Sequence, residues 1–207
     1  MRFVLASQSP ARLGVLKAAG IEPVVRVSGV DEDAVIAGLP NASPEQVVTA
    51  LAEAKARTVV GDLERVEDAV VVGCDSMLRF DGQLVGKPGT PEVAKARWLK
   101  MAGGEGTLLT GHAVLRVRHG VIADSAIAAE KTVVRFASPT VAEIDAYIAT
   151  GEPLQVAGAF TLDSLGGWFV DGIDGDPSSV IGISLPLTRR LLSAIGVSVT
   201  DLWRSTK

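Results

Sequence analysis

Disulfides, zinc and histidine chemistry are the first things that this sequence does without. Its single cysteine, Cys74, has no partner for an internal bridge, and a reducing cytoplasm is the expected compartment. Its two histidines, His112 and His119, accompany no Gly-x-Ser-x-Gly turn and no Cys/His cluster. A serine-hydrolase triad and a zinc site are therefore not expected. No apolar run approaches the roughly 20 residues of a membrane span. The opening run stops at Ser7, short of the roughly 7–15 residues of a signal-peptide core, and reads as a first strand. No Lys/Arg-rich tract stands out and the net charge is −4. Coating a nucleic-acid polymer or a membrane surface is thus not expected, while one phosphorylated small molecule remains a possible partner. Repeats, low-complexity tracts and flexible linkers are missing too.

What the chain does have is core-forming material. Of 207 residues, 47% are hydrophobic and 21% charged, enough for one domain or two tightly joined lobes. Hydroxyl residues precede proline in Ser9-Pro10, Ser43-Pro44, Thr90-Pro91 and Ser138-Pro139, pairing a capping oxygen with a residue suited to the first helical turn. Ser43 with Gln46, and Thr140 with Glu143, read as capping boxes. Helices are expected at about 10–19, 44–60, 91–102, 140–150 and 186–195, ending near Gly20, Gly61, Gly103, Gly151 and Gly196. Phe3–Ala6 and Ala69–Cys74 read as buried strands. Met77–Phe80 and Gln83–Val85 flank the hairpin signal Asp81-Gly82, and Leu108–Val117 and Val121–Phe136 flank His119-Gly120. Trp168–Ile173 is a further candidate strand. Hairpins among alternating helices and strands predict an α/β fold with a mixed sheet.

Six places carry possible chemistry. Ser7 to Arg12 leaves a strand and opens a helix, where free N–H groups suit a phosphate. Arg12 in that first turn opposes the helix dipole unless an anion sits between them. The alternative is a helix cap with a solvated arginine. Lys55 follows Val47 and Leu51 at helical spacing, so it lies on the apolar stripe. It either snorkels from the edge of that face or carries its ammonium to a ligand. Asp75 ends the run Val70 to Cys74, at a strand's carboxyl end, where α/β sheets gather ligands; the alternative is a turn cap. Strand alternation sends Cys74 to the opposite face, as packing. Gly86-Lys87-Pro88 has the wrong spacing for a P-loop, but Lys87 sits on a rigid turn. Asp31-Glu32-Asp33 reads as a solvated acidic loop that could join Asp75 on a divalent metal. The glycines around Gly172 to Pro177 mark turns that a ligand could approach.

These pieces, in this order, resemble the Maf family of nucleoside triphosphate pyrophosphatases over nearly the whole chain. Leu5 to Arg12 is similar to the family's L-A-S-x-S-P-R-R, Asp31-Glu32 to its D-E, and Ala54-Lys55-Ala56 to its E-K-A. Gly73 to Ser76 resembles G-A-D-T, Gly86-Lys87-Pro88 resembles G/E-K-P, and Val156 to Phe160 resembles K-A-G-A-Y. Gly182 to Leu187 approximates V-G-L-P-L. The resemblance implies one Maf-like domain over 1–207, with an elongated mixed sheet, flanking helices and two lobes around a cleft, as in inosine-triphosphate pyrophosphatases. It implies hydrolysis between the α- and β-phosphates with Mg²⁺ or Mn²⁺, and a homodimer. It also implies a part in clearing non-standard nucleotides or restraining septum formation.

Residue by residue, Asp75 matches the family's proton acceptor. Ser7, Arg12, Glu32, Lys55 and Lys87 match substrate or metal contacts, and Ser76, beside Asp75, and Asp163 are further expected substrate contacts. Glu32 and Asp75 are the expected metal pair. Ala11 stands in place of an Arg, Ser76 of a Thr, Val156 of a Lys and Gly106 of a His, and Ser184 reads as an insertion. Asp163 falls where pyrimidine-preferring members carry Gln. A carboxylate only accepts hydrogen bonds, which leans towards a purine. The alternatives are a nucleotide-binding regulator of septum formation with weak or no catalysis, and another nucleotide-handling enzyme such as a phosphatase or nucleotidyltransferase.

Overall fold

A computed structural model describes residues 1–63 and 68–203. It shows a seven-stranded mixed sheet with flanking helices, in the order β2-β1-β3-β5-β6-β7 with β4 paired to β3. The strands are β1 (Arg2–Ala6), β2 (Val24–Arg26), β3 (Asp68–Phe80), β4 (Gln83–Val85), β5 (Glu105–Arg118), β6 (Val121–Phe136) and β7 (Val170–Asp174). The helices are α1 (Pro10–Ala18), α2 (Glu32–Ala37), α3 (Pro44–Asp62), α4 (Pro91–Met101), α5 (Val141–Ala149), α6 (Pro177–Ile181) and α7 (Leu185–Ala194). β1 runs parallel to β2 and β3. β4 is antiparallel to β3, and β7 to β6.

The helix starts follow their capping chemistry. Ser9, Ser43, Thr90, Thr140 and Ser184 each accept a backbone N–H from the first turn that follows. Both expected capping boxes are formed. The Ser138-Pro139 pair does not start a helix: Thr140 caps α5 instead, because its box with Glu143 satisfies two orphan N–H groups at once. Ser184, which reads as an insertion, is the N-cap of α7. At both expected hairpins the two turn residues take positive φ, Asp81 with Gly82 and His119 with Gly120, the geometry that matches strand twist.

Three expectations need correction. Ala69–Cys74 and Met77–Phe80 are not separate strands but parts of the 13-residue β3. Asp75 therefore does not end its strand. β1 pairs with β3 as far as Val72 and β4 pairs from Leu78, so Asp75 falls between the stretch paired with β1 and the stretch paired with β4. The acidic triplet is not a loop. Asp31 caps α2 by accepting the Ala34 N–H at 3.0 Å, and Glu32 and Asp33 fill its first turn, where negative charge complements the helix dipole. The strand expected from Trp168 begins at Val170; Leu165–Phe169 coils as a short 3₁₀ segment, with its two glycines inside it.

The chain divides into two compact units. The first comprises Met1–Asp75, Thr110–Glu130 and Gly182–Lys207. One face of its sheet packs Leu5, Val70, Val72 and Cys74 with Leu16 of α1 and Leu187, Leu191 and Leu192 of α7. The other face packs Val4, Ala69 and Val71 with Ala52, Ala56 and Val59 of α3. Cys74 thus faces away from α3, as alternation predicts. The second unit, Ser76–Leu109 and Lys131–Ile181, is built around Trp98. That ring is fully buried, edge-on to Phe136, Tyr147 and Phe169, and its indole N–H donates to the Ala159 carbonyl at 2.8 Å. Among the described residues no helix is long and apolar enough to cross a membrane.

Candidate active site

The first unit assembles five of the expected site residues, and a glycine explains how. Gly73 lies two residues before Asp75 on the same face of β3. A Cβ there would stand 2.2 Å from the Ala52 carbonyl oxygen and 3.0 Å from the Ala56 nitrogen. Without it, α3 lies directly on the strand. Lys55, between those alanines and their neighbours on the helix, then reaches Asp75. Its Nζ is 2.5 Å from Asp75 Oδ1 and 2.7 Å from Glu32 Oε1. The Lys55 and Asp75 side chains are 12% and 10% exposed, whereas Glu32 is 52% exposed. The stem of Lys55 follows the apolar stripe, and its ammonium is held between two carboxylates.

Burial is the largest influence on Asp75 and raises its carboxyl above the ordinary aspartate value. The Lys55 ammonium, by charge and hydrogen bond, and the Arg12 guanidinium pull it back, while Glu32 pushes it up. The net direction is upward, making Asp75 a stronger base than a solvated aspartate. The neighbouring Cys74 thiol is raised by burial to about 11, consistent with a packing role.

Arg12 is framed on two sides. Its Nε donates to the Gly182 carbonyl at 2.8 Å and its Nη1 to Ser7 Oγ at 3.0 Å. Two bonds at different nitrogens fix the plane of the guanidinium. Ser7 Oγ also accepts the Ser9 N–H at 3.2 Å. Both bonds use oxygen lone pairs, so the hydroxyl proton is what Ser7 can offer an anion.

Two carboxylates fit a divalent ion of the magnesium type, which takes one or two protein carboxylates and completes its shell with phosphate oxygens and water. Among the described residues, no group of three or more His, Cys, Asp or Glu side chains could hold a metal. Asp75 and Glu32 are the two carboxylates here that could contribute to such a shell. Lys87, exposed just beyond β4, Ser76 on β3 and the exposed Asp163 all belong to the second unit.

A family model described as "Maf-like protein" matches residues 2–195. The chain belongs to the Maf family. A Rhodococcus jostii (strain RHA1) protein named nucleoside triphosphate pyrophosphatase is 67% identical over 207 residues, covering 99% of this chain and 97% of its own. Proteins of the same name from Saccharopolyspora erythraea and Mycolicibacterium gilvum (strain PYR-GCK) are 63% and 58% identical over 205 residues. They cover 98% of this Maf chain and 97% and 98% of their own lengths.

Two features of this cluster go beyond the motifs, one out of their reach and one within it. The Gly182 carbonyl that holds Arg12 is 170 residues away in sequence, and nothing near Arg12 announces it. Gly73 was legible in principle: a glycine interrupting a buried apolar run signals close approach of another backbone.

Proposed function

We propose that this Maf protein hydrolyses a nucleoside triphosphate between its α- and β-phosphates, releasing a nucleoside monophosphate and pyrophosphate. The observation that carries the reading is the Lys55 ammonium held between the Asp75 and Glu32 carboxylates, with the framed Arg12 acting on the same aspartate. The name shared by its relatives supports it.

Phosphoanhydride hydrolysis needs countercharge for the phosphates and a base for the attacking water. Lys55 and Arg12 supply positive charge, and Ser7 supplies a hydroxyl donor. Asp75 accepts the proton of the water that attacks the α-phosphorus in line. Asp75 and Glu32 would hold Mg²⁺ or Mn²⁺, whose charge offsets that of the triphosphate. The family motif extends the proposal to Lys87 and Ser76 as further phosphate contacts and Asp163 as a base contact. A cytoplasmic homodimer that removes non-standard nucleotides is the wider reading that the family supports.

A nucleotide panel with Mg²⁺ and with Mn²⁺, products separated and identified, tests the reaction. Monophosphate and pyrophosphate are the expected products. Orthophosphate or a transferred nucleotide would assign a different reaction, and binding without turnover across the panel would assign a regulator. Asp75→Asn is expected to lower pyrophosphate release by about 10²–10⁴-fold, the usual contribution of a general base, with the circular dichroism spectrum unchanged. Near-normal turnover would remove Asp75 from its role.

A further inference from the structure

His112 of β5 is fully buried, and the chemistry proposed above gives it no task. Its hydrogen bonds define its state. The Ser184 backbone N–H, which can only donate, points at His112 Nε2 at 2.8 Å. Nε2 must therefore be the unprotonated nitrogen. Nδ1 lies 3.0 Å from the Thr110 carbonyl oxygen, which can only accept, so Nδ1 carries the proton. His112 is held as one neutral tautomer that links β5 to the N-cap of α7.

The segment that it fixes is the one that holds Arg12. Ser184 caps α7 by accepting the Leu187 N–H at 3.1 Å. Ile183 is fully buried in the core shared by α1 and α7. Gly182, two residues before Ser184, accepts Arg12 Nε. Gly182 has φ +130, and a Cβ there would stand 3.1 Å from Arg12 Nε and 3.2 Å from its Cγ. The 182–184 backbone is thus pinned to β5 at one end and pressed against Arg12 at the other. A buried N–H deprived of its acceptor costs free energy unless the backbone moves, and movement here displaces the Gly182 carbonyl.

We propose that His112 is a positioning residue for Arg12, acting through the Ser184 N–H and the Gly182 carbonyl to fix the guanidinium that binds the substrate's phosphates. The phosphate part rests on the function proposed above; the orientation of Arg12 does not. His112→Gln keeps an acceptor for the Ser184 N–H, and His112→Leu removes it.

The experiment follows the Arg12 Nε–H resonance of the ¹⁵N-labelled full-length protein by hydrogen exchange, alongside kinetics. In the native protein and in His112→Gln this resonance is expected to exchange slowly. In His112→Leu its protection is expected to fall while the amides of β1 and of the middle of α7 stay protected. Unchanged Arg12 protection in His112→Leu would overturn the proposal. KM for the triphosphate is expected to rise about tenfold in His112→Leu, the effect of one lost polar contact. It is expected to stay within about twofold in His112→Gln, and not to rise further when Leu is added to Arg12→Ala. An equal rise in the Arg12→Ala background would mean that His112 acts on something else and would also overturn it. If the native protein releases no pyrophosphate, the function falls and the exchange measurement still decides the positioning role. Should His112→Leu fail to fold, His112→Asn takes its place, its amide ending at the position of Nδ1 and short of Ser184.

Discussion

Ionising Asp75 carries a cost. The first influence on it is burial, which favours the neutral acid, and the attraction of Lys55 and Arg12 does not fully offset it. The sign of the pH dependence follows. With its folded-state pKa raised above the ordinary value, the folded protein holds a proton that the unfolded chain has already released. Stability therefore falls as pH rises from the ordinary aspartate value through the raised one. Above that window the buried charge is a standing destabilisation, and Asn at this position removes it. In metal-free buffer, Asp75→Asn is expected to melt a few degrees above the native protein near neutral pH. The gap should narrow as pH falls through the raised value towards the ordinary aspartate value. Melting curves across that range check this. A variant that melts lower at neutral pH would show that the Lys55 pair outweighs the burial. Taken with the expected loss of turnover, a more stable and inactive Asp75→Asn is what a base strained by burial should produce.

At the scale of elements, the five longer helices were the most legible part of the sequence because capping is local: an oxygen, a proline and a Glu or Gln three residues on decide it, whereas the short α2 and α6 stand where a loop and turns were expected. Strand extent was less legible. Nothing in the side chains from Asp75 to Met77 says whether β3 stops or continues, since its pairing partners lie elsewhere in the chain. The 3₁₀ segment before β7 was missed for a similar reason, and one carboxylate gathers much of its start. Glu152 accepts the hydroxyls of Tyr147, Thr161 and Ser164 at 3.0, 2.6 and 2.7 Å, and the N–H groups of Leu165 and Gly166 at 3.3 and 3.0 Å. Burial raises its carboxyl, but these bonds outweigh that and hold it below the ordinary glutamate value. Its stabilisation is thus complete above the ordinary value and is lost as pH falls through the lowered one. The same carboxylate raises the Tyr147 phenol, after burial, which is the larger cause. Glu152→Ala is expected to cost about 1.5–3 kcal/mol, the range for hydrogen bonds to a charged group. Limited proteolysis should begin within residues 161–166. A variant as resistant as the native chain would mean that the segment holds its shape without Glu152.

For the whole molecule, the division into two units separates two questions that the motif reading treated as one. Ser7, Arg12, Glu32, Lys55 and Asp75 all belong to the first unit and are joined by a hydrogen bond, two ion pairs and the charge of Arg12 on Asp75. That cluster was legible because its residue types, cations, a hydroxyl and carboxylates, stand together in short local motifs. Asp163 belongs to the second unit, exposed on the segment that Glu152 organises, and a base contact there is proposed from the family resemblance alone. If the division is functional, substitutions should separate accordingly. Weakening Arg12 should lower kcat/KM for every nucleotide by a similar factor, because all share the same triphosphate. Changing Asp163 should alter the ratio between bases instead. A carboxylate only accepts, and guanine presents adjacent N1–H and N2–H donors, whereas uracil presents N3–H between two carbonyls that repel it. Asp163→Asn exchanges one acceptor for a donor and suits uracil better. The expected outcome is a GTP-to-UTP ratio of kcat/KM that falls about tenfold or more, on the scale of one polar contact, with kcat for the better substrate nearly unchanged. Competition between the two nucleotides in one reaction measures that ratio directly. A uniform loss for both bases would place Asp163 with the phosphate contacts, and a native preference for UTP would remove it from base selection by this chemistry.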